Sequence, residues 1–197
     1  MRRLADNISN YISREMHYNE EKTEVLSYGL QIFLGTSISI ISELVCAYFF
    51  NIFQSTLIVS ISYTIFRRLV GGSHYETQSR CYFMGLIMIL SLGKLGEVTS
   101  LTSMGTLIST ILIYFLALTA TILWVPAGTE KKMIKNIDTR RKIKIKVIVI
   151  LTIWFIICSH LNMLGISKYV ISSALGVFLA FFFVTPLGYR FTNLKLF

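Results

Sequence analysis

Charge is scarce in this 197-residue sequence: Asp, Glu, Lys and Arg make up 15% of it, against about 25% in soluble globular domains. With 54% of residues apolar and a mean hydropathy of +0.64, the shortage excludes both a soluble globular domain and a disordered chain. Cysteine is sparse too. Cys46, Cys81 and Cys158 are odd in number and far apart, so no disulfide framework is expected and at least one thiol is free or paired between molecules. HExxH, GxSxG and a phosphate-binding glycine loop are all missing, and His17, His74 and His160 fall on different elements; no metal and no cofactor are expected. The N-terminus MRRLADNISNYISREMHYNEEK has no apolar stretch after its arginines and no small-residue cleavage site, so a removable signal peptide is not expected.

What the chain does have is long apolar runs, at about 28–50, 52–66, 81–98, 101–124, 147–166 and 169–187. A span of the hydrocarbon core takes about 20 residues, so the pattern predicts an all-α membrane protein of about six transmembrane helices in a single integral domain, 1–197. Residues 1–26 stand apart as an N-terminal interfacial segment. Leu4, Ile8, Tyr11, Ile12 and Met16 repeat at helical spacing over 3–18, which fits an amphipathic helix lying in the membrane interface or, alternatively, a contact with a soluble partner. Residues 28–66 amount to about 58 Å of helix, barely two crossings, so a tight turn is required near Asn51 to Gln54. The third run crosses only if Lys94 snorkels or is shielded by Glu97 three residues on. Gly35, Ser37, Ser39 and Ser42 allow close helix approach, within one chain or in a homodimer.

The net charge of +9 is distributed between the apolar runs, where it reads as a topology signal and a contact for anionic lipids, not for nucleic acid. With the N-terminus inside, 17 of the 19 basic residues fall in cytoplasmic segments; only Lys94 and Lys168 do not. Six spans with both termini cytoplasmic follow from that count. The loop VPAGTEKKMIKNIDTRRKIKIK carries eight of these residues between Lys131 and Lys146. Attraction to anionic lipid, about 1 kcal/mol per basic residue near the surface, explains most of it. On the same face as a reactive site it would also collect an acidic peptide.

Chemistry concentrates in the second loop, FRRLVGGSHYETQSRCYF, which gathers a histidine, a cysteine, two glycines and three arginines. Cysteine attacks as thiolate, a form favoured by a nearby histidine, cationic neighbours and a helix N-terminus. Cys81 opens the third apolar run behind Arg80, so the unpaired N–H groups of that helix would face its sulfur and offer an oxyanion site. In an unbroken helix His74 would stand about 10.5 Å from Cys81 along the axis. A working pair therefore needs a broken or re-entrant helix, for which Gly71 and Gly72 supply the backbone freedom. Against this stands chance co-occurrence of one His and one Cys in a polar loop. Cys46 reads as packing, and Cys158 as structural, because His160 two residues on faces away from it. His160 reads as an interhelical polar contact or an intramembrane functional group, and Glu43 receives no role.

Arg67, Gly71–Gly72, His74 and Cys81 form the pattern R-x3-GG-x-H-x6-C between two spans of a small membrane protein. In this the chain resembles the accessory gene regulator B family, membrane cysteine endopeptidases of bacterial quorum sensing, over nearly its whole length. The stretch Val125 to Lys132 also looks like that family's proline-and-lysine loop, although Met133 stands near the place of its second proline. The resemblance implies that the membrane is a bacterial plasma membrane, that His74 and Cys81 are catalytic, and that a membrane-associated propeptide of the autoinducing type loses its C-terminal tail through a Cys81 thioester. A propeptide cysteine then closes a thiolactone. Arg67, Gly71, Gly72, Lys131 and Lys132 would contact substrate or shape the loops, while Glu76, Gln78 and Glu97 remain alternatives for orienting the imidazole. The competing class is a non-enzymatic peptide exporter or membrane scaffold, which explains the spans and charges but not the convergence of His, Cys and a glycine pair.

Overall fold

A computed structural model describes residues 2–73, 75, 77–127 and 136–192. These form helices α1 (Arg2–Glu15), α2 (Glu20–Phe49), α3 (Phe53–Val70), α4 (Gln78–Val98), α5 (Ser103–Trp124), α6 (Ile137–Met163), α7 (Ser167–Phe182) and α8 (Pro186–Phe191). The first five apolar runs each fall mainly on one helix, and the sixth is divided between α7 and α8. Most of α4, with α2, α5 and α6, is long and apolar enough to cross a membrane, and α7 is a shorter apolar helix. The protein is an all-α membrane protein. Its contacts divide it into two compact units, residues 1–45 and 46–197.

In the first unit α1 exposes Leu4, Ile8 and Tyr11, while the small residues Ala5, Ser9 and Ser13, four apart, are buried. The Asp6 carboxylate accepts from Ser27 Oγ at 2.5 Å and from Gln31 Nε2 at 3.5 Å, tying α1 to α2. α2 starts eight residues before its apolar run because Asn19 Oδ1 accepts from Lys22 N–H and Glu20 and Glu21 occupy the first turn, where the helix dipole favours them. Glu43 is buried in this unit.

The second unit takes in the end of α2 and the foreseen tight turn after it. Asn51 takes the left-handed conformation (φ 56°), Ile52 N–H donates to Ala47 O at 2.9 Å, and α3 starts at Phe53. α3 and α7 pack most extensively and form the centre, with α4, α5 and α6 around them. Lipid tails are as apolar as leucine, so such helices associate through close approach and polar contacts. Both occur here. Ser62 and Ser173 hydroxyls lie 2.9 Å apart, and Trp154 Nε1–H donates to Ser173 Oγ at 2.8 Å. A Cβ on Gly176 would sit 2.5 Å from the Val59 carbonyl oxygen, a backbone atom that cannot rotate away. Gly176→Val is therefore expected to destabilise the protein by about 1–3 kcal/mol, read as a lower unfolding midpoint in detergent. Gly29→Ala, where no atom lies within 4 Å of the added Cβ, should leave that midpoint in place.

At the end of α4 distant from Cys81, Glu97 is shielded by Lys168 of α7 at 2.6 Å and by Ser55 of α3 at 2.7 Å. Lys94, exposed three residues before Glu97, adds a weaker attraction, so the expected shielding is present with Lys168 as the main partner.

Further boundaries also differ from the hydropathy pattern. α4 begins at Gln78, before the apolar run. α6 begins at Ile137, ten residues early, because Asn136 Oδ1 accepts from Asp138 and Thr139 N–H and caps a helix whose first turns are too basic to read as a span. Lys144 of those turns donates to Ile122 O near the C-terminus of α5 at 2.6 Å. The sixth run breaks after Phe182, since Pro186 has no N–H to continue the ladder; it starts α8, capped by Thr185 Oγ1 accepting from Gly188 N–H.

Candidate functional site

The last turn of α3 carries Arg67 and ends at Val70 because Gly71 (φ 75°) and Gly72 (φ 114°) adopt conformations that other residues rarely hold. α3 thus ends at Val70 and α4 begins only at Gln78, so no single helix runs from Arg67 to Cys81. Gly71 also forms an isolated parallel bridge to Ala127: Gly72 N–H donates to Ala127 O at 3.2 Å and Ala127 N–H to Val70 O at 3.1 Å. A Cβ on Gly71 would collide with that Ala127 carbonyl. The glycine pair and the start of the proline-and-lysine loop, distant in sequence, are thus brought together. Lys131 and Lys132 lie outside the described residues, as do His74 and Glu76, and the side chain of Gln78 is likewise outside them.

Arg67 folds its guanidinium back over this segment. Nη1 donates to Gly71 O at 2.6 Å, Nη2 donates to Ser73 O, and the cation lies 5.2 Å from the centre of the Phe183 ring. Ser73 is buried, with its N–H on Phe183 O at 3.0 Å and its hydroxyl within 3.3 Å of Phe183 O and 3.2 Å of Gly188 O. A Cβ on Gly72 would sit 2.6 Å from that same Phe183 carbonyl. The segment preceding His74 is therefore clamped between α3 and the turn from α7 into α8.

Cys81 is a free, half-buried thiol. Its N–H donates to Thr77 O at 3.1 Å, so it closes the first turn of α4 and does not open the helix. The expectation that unpaired N–H groups begin at Cys81 is corrected accordingly: those of Gln78, Ser79 and Arg80 precede it, and the Thr77 side chain does not cap them. Cys81, Gly85 and Met88 follow one face of α4 and line a cavity of about 30 Å³ with Arg67 and Tyr63 of α3, Ser73, Tyr75 and Phe183. That is room for one water-sized group. Among the described residues, nothing outside its own helix turn lies within 4 Å of where a Gly85 Cβ would be. Burial pushes the Tyr75 phenol up, with the Cys81 sulfur adding to it, and pushes the Tyr189 phenol up against the opposing pull of Arg67; both stay protonated donors at neutral pH.

A family profile described as accessory gene regulator B matches residues 5–184. The chain belongs to the accessory gene regulator B family. Similar proteins include a putative AgrB-like protein of Clostridium perfringens strain SM101, 31% identical over 157 residues that make up 78% of this chain and 73% of that protein. A second putative AgrB-like protein, from C. perfringens strain 13, is 30% identical over 161 residues, 78% of this chain and 75% of that one. The accessory gene regulator protein B of Staphylococcus aureus strain MRSA252 is 28% identical over 155 residues, 77% of this chain and 79% of its own. No solved structure matches the chain significantly.

Within this family member the structure brings together Arg67, Gly71, Gly72 and Cys81 and separates others from them. Glu97, an alternative for orienting the imidazole, is sixteen residues along α4 from Cys81, about 24 Å, and bound to Lys168, so it is removed from that list. Cys158 is 3% exposed, in keeping with a structural role. His160 is exposed, and the interhelical polar contact near it is made instead by Asn162, whose Nδ2 donates to Ser103 O at 2.8 Å. Sequence reasoning missed Tyr63, Ser73, Tyr75 and Phe183. Tyr63 alone carried a signal, four residues before Arg67 on one helical face.

Proposed function

We propose that this protein is a membrane-embedded cysteine endopeptidase of quorum sensing that removes the C-terminal tail of a small membrane-associated propeptide and supports its cyclisation to a thiolactone. The observation that carries the reading is Cys81, half-buried at the start of α4 and lining one cavity with Arg67, across from a helix break made by Gly71 and Gly72. Membership of the accessory gene regulator B family supports it.

In this reading His74 takes the Cys81 proton and the thiolate attacks a peptide carbonyl, forming an S–C bond and a tetrahedral oxyanion. Collapse breaks the C–N bond. The tail amine leaves with the proton from His74, and a thioester stays on Cys81. A propeptide cysteine thiolate then displaces Cys81, exchanging one thioester for another, so the carbonyl's activation is retained in the ring. Keeping water from the thioester would favour this exchange over hydrolysis. Arg67, Gly71 and Gly72 shape the segment that carries His74, and Lys131 and Lys132, in the loop that Ala127 begins, contact an acidic portion of the propeptide. The whole chain acts as one membrane domain of six spans, with the site and both termini cytoplasmic, anionic lipids at its basic segments and a homodimer through α2.

The test is intact-mass spectrometry of the purified protein in lipid, mixed with a synthetic candidate propeptide that carries an internal cysteine and a C-terminal tail. A hydroxylamine-sensitive adduct mapping to Cys81, with release of the tail, is the expected result. Folded protein that gives neither adduct nor tail would favour a non-enzymatic export or scaffold role.

A further inference from the structure

Arg67 has three kinds of donor, and two are consumed: Nη1 by Gly71 O and Nη2 by Ser73 O. Its Nε–H is buried and makes no hydrogen bond of good geometry among the described residues, with the Tyr63 side chain as the neighbour that interacts with the guanidinium, and the Tyr75 hydroxyl is likewise buried without a hydrogen bond among them. A buried donor left unpaired is costly and uncommon in native structures. Here two of them belong to side chains lining one cavity with Cys81. That cavity, about 30 Å³, takes an atom the size of a carbonyl oxygen and little more. Neither donor is loosely held. The Tyr75 ring packs edge-on against Phe191 of α8, with centroids 6.3 Å apart, and Phe191 in turn packs against Phe182 at 6.1 Å. The guanidinium is fixed by its two carbonyls and the Phe183 ring.

We propose that the Tyr75 hydroxyl and the Arg67 Nε–H are the oxyanion-binding pair of the Cys81 reaction. The inference rests on the reading of Cys81 as an acyl-transfer nucleophile and assigns to two side chains the role that the sequence placed on helix N–H groups. When the sulfur–carbon bond forms, the carbonyl π electrons move to oxygen, and the two donors hydrogen-bond that oxygen without giving up a proton. Collapse returns the electrons as the leaving group departs, and the donors are free again. A phenol pushed up by burial stays a donor throughout.

The test separates acyl transfer from thiol reactivity, using the full chain in lipid vesicles. Acylation of Cys81 by p-nitrophenyl acetate passes through an oxyanion, breaks the ester C–O bond and releases p-nitrophenolate. Alkylation by iodoacetamide displaces iodide at a saturated carbon and forms none. Tyr75→Phe keeps the ring and its packing on Phe191, and is expected to slow Cys81 acylation about 10²-fold while leaving the alkylation rate within about twofold. Unchanged acylation would overturn the pair, and so would an equal fall in both rates, which would make Tyr75 structural. Cys81 that is alkylated but never acylated in the unsubstituted protein would overturn it as well. Failure of the protease reading shows elsewhere, as intact propeptide tail beside a Cys81 that still acylates.

Discussion

Cys81→Ala is expected to lower propeptide tail release to the level of protein-free vesicles, a fall on the order of 10⁴ to 10⁶-fold, the range seen when a covalent nucleophile is removed. Neither other thiol can take over. Cys158 is 3% exposed within α6, and Cys46 is not among the described residues that line the Cys81 cavity. The substitution removes one sulfur from a half-buried position, so the unfolding midpoint in detergent should stay put. Cys81→Ser adds a finer check. A hydroxyl is a weaker nucleophile and its ester a poorer acyl donor than a thioester, so any residual tail release should yield little cyclic product. Tail release by Cys81→Ala at more than about one-tenth of the unsubstituted rate would refute Cys81 as the nucleophile.

Much of this site was legible before any coordinates, because the residues that carry it lie within fifteen positions and glycine and cysteine have few roles in an apolar chain. Gly71 and Gly72 read as a helix break and are one; Asn51 reads as a tight turn and is one. Hydropathy located every apolar run but not the polar turns that extend the helices, which is why α6 starts ten residues early on its Asn136 cap. The walls of the cavity were out of reach for a different reason. Phe183 and the α8 residues Gly188 and Phe191 meet Ser73 and Tyr75 only through the packing of α7 on α3, a contact between segments more than a hundred residues apart. The Glu97–Lys168 pair, across α4 and α7, eluded local reasoning for the same cause. A search for partners three or four residues away offers Lys94 instead.

Arg67→Lys keeps the charge and is nevertheless expected to lower tail release about 100-fold or more. The guanidinium acts here as a rigid fork, with one arm on Gly71 O at 2.6 Å and the other on Ser73 O, and its plane lies over the Phe183 ring. Those carbonyls flank Gly72, whose φ of 114° sets the direction in which the chain leaves α3 toward His74. A lysine ammonium is a compact point charge on a flexible stem and cannot hold both carbonyls in that geometry, nor does it have an Nε–H to offer the cavity. A displacement of about 1 Å at a reacting group is enough to cost on the order of 10²-fold in rate. Because α3, α4 and α7 keep their contacts through Gly176, Gly93 and Gly96, the loss should appear in turnover while the unfolding midpoint moves by far less than for Gly176→Val. Charge alone would predict the opposite result. If Arg67→Lys retained half or more of the rate and Arg67→Met lost it, the arginine would be serving as a cation near Cys81, and its hold on the Gly71–Ser73 backbone would have no part in catalysis.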